Sequence, residues 1–115
     1  MTSEDYEREK TYYIKLKSSI SKIVTDLNSF NTNIDTIKNR TVGVYTVNGE
    51  NTPIISRLTK LDNSSSQVRS YLKKTIIPAI DSAIRECDAQ IDKLKVAEKA
   101  AAAKAAAAKA TSIDG

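Results

Sequence analysis

The stretch YIKLKSSISKIVTDLNSFNTNIDTI, Tyr13 to Ile37, decides the architecture. Its large apolar residues fall at Tyr13, Leu16, Ile20, Ile23, Leu27, Phe30, Ile34 and Ile37, in alternating steps of three and four. Steps averaging about 3.5 residues draw a narrow seam down one side of a helix, and such a seam buries itself only against another helix. The stretch therefore predicts a long coiled-coil-like rod whose business is helix-to-helix association.

Working outward, Thr2 or Ser3 can cap the start of this helix, with Glu4 and Asp5 at the positive end of its dipole. A helix over residues 3–39 follows. Residues 40–52 break the pattern: Val42, Val44, Tyr45 and Val47 favour strands, Gly43 and Gly49 break helices, and Asn48-Gly49 is a turn signal. They predict a connection that reverses the chain, with Gly43 and Gly49 at the hairpin turn. Thr52 and Pro53 then suit the start of a second helix over 53–96, since proline lacks only an N–H that the first turn leaves unused.

The apolar stripe of this second helix runs Ile54, Leu58, Leu61, Ser65, Val68, Leu72, Ile76, Ile80, Ile84, Cys87, Ile91 and Leu94. Between Val68 and Ile84 every step is four, a stutter that locally unwinds a left-handed supercoil. Pro78 lies in the same stretch and crowds the Lys74 carbonyl, so a kink is expected there. The polar run Asp62 to Ser66 is read as continuous helix, because Leu61 and Val68 keep the seam in phase. From Ala97 an alanine block with lysines at 99, 104 and 109 predicts a solvated helical extension over 97–115, a linker remnant or a low-complexity tail.

Composition excludes several classes of function. With no histidine, and carboxylates scattered on solvated faces, general acid–base catalysis finds no constellation, and the chain reads as a non-enzyme. No phosphate loop, nucleophile elbow or EF-hand spacing occurs. The single Cys87 rules out an intramolecular disulfide or a multi-thiolate metal site and reads as a buried small residue, so no cofactor is expected. The balance of 18 basic to 14 acidic residues is mild, and Lys10, Lys15, Lys17 and Lys22 read as a solvated flank rather than a nucleic-acid groove. Nothing approaches the length of a membrane span, and the charged N-terminus has no apolar h-region. The expectation is a chain made in the cytoplasm that, if exported, leaves without a cleavable signal peptide.

Both helices carry more apolar surface than one seam needs: Tyr12, Ile14 and Val24 on the first, Ile55, Tyr71, Ile77 and Val96 on the second. A lone helix pair of this size is marginal as a domain. The fold expected is all-α: an antiparallel two-helix hairpin over 1–96 that completes a four-helix bundle by association. Its packing and partner-facing residues are the seam from Tyr13 to Ile37 together with Leu58, Leu61, Val68, Leu72, Ile76, Ile80, Ile84, Ile91 and Leu94.

Two long helices joined near Thr41-Val42-Gly43, with no signal peptide, resemble the small WXG-like proteins of bacterial type VII secretion. More closely they resemble the relatives of that family encoded beside LXG toxins. Only the glycine of the Trp-x-Gly motif is matched, by Gly43. The C-terminal Tyr-x-x-x-Asp/Glu export signature is missing, since Thr75 stands four residues after Tyr71. The resemblance implies a small adaptor or targeting chaperone that binds the helical N-terminal domain of a larger toxin for export. The competing expectations are a self-associating homodimer or coiled-coil assembly element, and a basic nucleic-acid-associated protein using the Ala/Lys tail.

Overall fold

The computed structural model describes residues 1–45 and 52–114. Apart from the first two, all of these are helical: α1 Ser3–Tyr45, α2 Thr52–Tyr71, a π-helical segment Leu72–Ile76, and α3 Ile77–Asp114. No strand occurs among the described residues, and the protein is all-α.

The start of α1 is fixed by Thr2. The Asp5 amide donates to Thr2 Oγ1 at 3.3 Å while the Thr2 amide donates to Asp5 Oδ2 at 2.8 Å, a reciprocal capping box. Threonine within α1 is accommodated by donating its hydroxyl one turn back, as from Thr25 to the Ser21 carbonyl and from Thr36 to the Thr32 carbonyl.

The far end of α1 differs from the sequence reading. The helix does not stop at Asn39 but continues through Gly43 to Tyr45, so no turn forms at Gly43. Thr41 is half-buried and donates its hydroxyl to the Ile37 carbonyl at 2.8 Å. A glycine in a helix interior costs about 1 kcal/mol relative to alanine, too little to stop a helix already this long. Gly49, and the turn expected around it, lie outside the described residues.

The stutter and Pro78 resolve together. In an α-helix each step of four residues drifts about 40° around the axis, so the line Val68, Leu72, Ile76, Ile80, Ile84 would leave the seam. The Ile77 amide donates to the Leu72 carbonyl, five residues back, and the wider π turn takes up one residue. That turn sits immediately before Pro78, which has no N–H to give. Leu72 and Ile76 are half-buried and Ile80 is buried.

The chain divides into two compact units, Met1–Lys15 with Ile80–Gly115, and Leu16–Ala79. In the first, buried Ile80, Cys87 and Ile91 with half-buried Ile84 and Leu94 form one ridge, met by half-buried Tyr6 and Tyr13. Lys10 pairs with Asp88 at 2.6 Å and Lys95 with Glu7 at 2.8 Å, which fixes the two segments as antiparallel. The Ser3 hydroxyl and amide donate to the two Glu98 oxygens at 2.7 and 3.1 Å. Glu98 thus places a carboxylate on the first amide of α1, where the helix dipole favours it. The first turn of the Ala/Lys extension therefore takes part in this unit.

In the second unit α1 and α2 also run antiparallel, since Leu27, Asn28 and Asn31 meet Ser65, Arg69 and Asp62. Its buried positions are Ile34, Asn31 and Ser65.

Candidate functional site

Within the second unit the interior line of α1 can be read directly from burial. Ile20, Leu27 and Ile34 face inward as expected, but their inward companions are Lys17, Val24, Asn31 and Lys38. Of the companions expected, only Leu16 is half-buried; Ile23, Phe30 and Ile37 are exposed. α2 repeats the pattern. Leu58 and Ser65, and Leu72 just beyond its end, face inward, accompanied by Ile55, Asp62 and Arg69, whereas Ile54, Leu61 and Val68 lie exposed.

The unit therefore packs on the polar side of each seam and leaves the apolar side open. What holds it there is a polar cluster built around buried Asn31 and Ser65. The Asn31 side-chain amide donates to the Asp62 carbonyl at 2.9 Å, to the Asp62 carboxylate, and to Ser66 Oγ at 3.1 Å. Asn31 Oδ1 accepts from the Ser65 hydroxyl at 3.0 Å and from Arg69 at 3.3 Å, and Arg69 also donates to Asn28 at 2.7 Å. Among the described residues no buried side-chain polar atom lacks a hydrogen-bond partner. An unmade bond to such a group would cost about 1–3 kcal/mol, so the satisfied cluster selects this rotation and register.

The consequence is a two-faced surface. On both helices the exposed line is displaced in the same rotational sense from the inward line, and the helices are antiparallel. Helical geometry then brings Ile23, Phe30 and Ile37 to the same face as Ile54, Leu61 and Val68. These six side chains are 40 to 51% exposed. The opposite face carries Asn28, Arg69 and Lys73.

The other residues singled out in the sequence sort as follows. Ile80 and Ile91 are buried, and Tyr13, Ile76, Ile84 and Leu94 are half-buried. Cys87 is buried, and its desolvation, reinforced by nearby Glu9, pushes the thiol above its ordinary pKa. It lines a recess of about 160 Å³ with Tyr6, Glu9, Tyr13, Ala83 and Glu86. Tyr13 donates to Glu9 at 3.3 Å, and that carboxylate holds the phenol above its ordinary value. The hydrogen bond to Asp88 raises Lys10, and that to Glu7 raises Lys95.

Sequence reasoning missed the inward role of Asn31, because an Asn at the heptad position between Val24 and Lys38 gives no local sign of its distant partners. Among the described residues no three His, Cys, Asp or Glu gather to hold a metal, and no helix is long and apolar enough to cross a membrane. No family model matches this chain, and neither a curated protein nor a solved structure matches it.

Proposed function

We propose that this chain is a small helical adaptor: a hairpin that completes a four-helix bundle by receiving the helices of another protein. The observation that carries this reading is the open apolar face of Ile23, Phe30, Ile37, Ile54, Leu61 and Val68, beside an interior that spends polar residues on its own closure. Side chains at heptad spacing on two neighbouring helices form the lower half of a bundle layer, and helices fill the upper half best. Following the resemblance to the LXG-toxin partners, the helices received are those of a toxin's N-terminal domain. The adaptor then acts as a targeting chaperone that presents the toxin for type VII export.

The test is co-expression with the helical N-terminal domain of an LXG-type toxin encoded beside this chain, read by size exclusion with light scattering. A stoichiometric complex that is lost when Phe30→Glu and Leu61→Glu are combined supports the reading. A complex indifferent to both substitutions, or a defined homo-oligomer with no affinity for the toxin domain, contradicts it.

A further inference from the structure

We infer that the occupant of the open face is an acidic amphipathic helical segment of a different protein, rather than a second copy of this chain; this rests on the helix-docking reading above. Each apolar line, Ile23 to Ile37 and Ile54 to Val68, is about 21 Å long at 1.5 Å per residue. Two packed helices make the face about 20 Å wide, so its area is roughly 400 Å². A stable interface needs about 800 Å² from each partner, so about half must come from the edges of the face. The chemistry of those edges therefore decides which helix is held.

The edges are basic. Stepping outward from the apolar lines, helical position brings up Lys22 and Arg40 on α1, Arg57 and Lys60 on α2 and Lys74 in the π-helical segment after it, against Asp26 alone among the described residues. All six are exposed. The unit as a whole, Leu16–Ala79, carries nine Lys and Arg against four Asp and Glu, an excess of five. The overall +4 of the chain is therefore concentrated here, and the other unit contributes nine against ten. A second copy would bring a basic rim onto a basic rim, and such like-charge contacts disfavour a partner. A helix with an apolar stripe flanked by Glu or Asp meets the apolar lines and neutralises the edges at once.

The experiment uses the full chain and two fluorescein-labelled synthetic helices of four heptads. Both carry Leu and Ile at a and d, and they differ only in flanking Glu or flanking Lys. Fluorescence anisotropy should show the Glu helix binding at least ~10-fold tighter at ~50 mM salt, with the gap narrowing at ~0.5 M as the Debye length shrinks. The combined Arg40→Glu, Arg57→Glu and Lys60→Glu variant, altered only at exposed positions, should reverse the preference. Equal binding of both helices, abolished by Leu61→Glu, would overturn the acidic partner and leave the docking reading intact. A homodimer that Leu61→Glu dissolves and the Glu helix fails to displace would make a second copy the occupant and overturn the inference. If neither helix binds and light scattering shows a monomer, the docking reading falls and takes the inference with it.

Discussion

Replacing Asn31 with Ala and, separately, with Leu separates two roles of the polar cluster. Asn31 is 8% exposed and its side chain exchanges hydrogen bonds with Asp62, Ser65, Ser66 and Arg69. At about 0.5–1.5 kcal/mol net for each bond, losing three or four costs about 2–4 kcal/mol, the loss expected for Asn31→Ala. In Asn31→Leu, burying an isobutyl group returns about 1.5–3 kcal/mol, so stability should fall less than in Asn31→Ala, by no more than about 2.5 kcal/mol. What the leucine cannot restore is orientation: it removes the hub of the hydrogen bonds that favour this inward face. Urea denaturation followed by circular dichroism measures the first effect. Pulsed electron resonance between spin labels at the exposed positions Ser29 and Gln67, in a Cys87→Ala background, measures the second. The parent should give one narrow distance distribution and Asn31→Leu a broad or displaced one. A narrow, unchanged distribution in Asn31→Leu would refute the claim that the cluster sets the register.

Other consequences concern packing, acidity and the thiol. Ile34→Ala and Ile91→Ala each empty a buried position and should cost about 2–4 kcal/mol in urea denaturation. Phe30→Glu with Leu61→Glu alters only exposed positions, so the stability of the chain alone should change by no more than about 1 kcal/mol. The Ser3 amide and hydroxyl hold Glu98 below its ordinary pKa, and the Thr2 amide does the same for Asp5. Because both folded values are depressed, their contribution is complete above the ordinary carboxylate range and is lost as pH falls through the folded values. A melting temperature followed from neutral to acidic pH should fall through that range, and Glu98→Gln should flatten part of the fall. Cys87 should react with a thiol-directed disulfide reagent much more slowly in the folded chain than in urea, since burial both shields it and raises its pKa.

The helices themselves are legible because the apolar period survives every change of context: the seam residues Ile20, Leu27, Ile34, Ile80 and Ile91 all turn inward. Periodicity does not say which flank of that seam closes the unit. Hydrophobicity places Ile23, Phe30 and Ile37 among the packing and partner-facing residues without separating the two roles, and the hydrogen bonds of Asn31, Ser65 and Arg69 draw in the other flank. That choice depends on partners more than 30 residues away in sequence, which no local pattern displays. Gly43 misleads because its propensity argues for a break, whereas a cost of about 1 kcal/mol does not end a helix this long, and α1 continues to Tyr45. Pro78 and the run of fours both stand in the sequence, and the π turn before Pro78 is the form their combination takes. Glu98 is hidden because an alanine-rich segment gives no sign that its first turn reaches the α1 N-terminus.

The open apolar face is the claim on which the functional reading depends, and thiol accessibility measures it directly. In a Cys87→Ala background, single cysteines at Phe30, Leu61 and Ile34 are each exposed to a maleimide probe in dilute, folded protein. The structure predicts rapid labelling of Phe30→Cys and Leu61→Cys and slow labelling of Ile34→Cys. Protection of Phe30→Cys and Leu61→Cys comparable to that of Ile34→Cys, in a chain shown by light scattering to be monomeric, would contradict it.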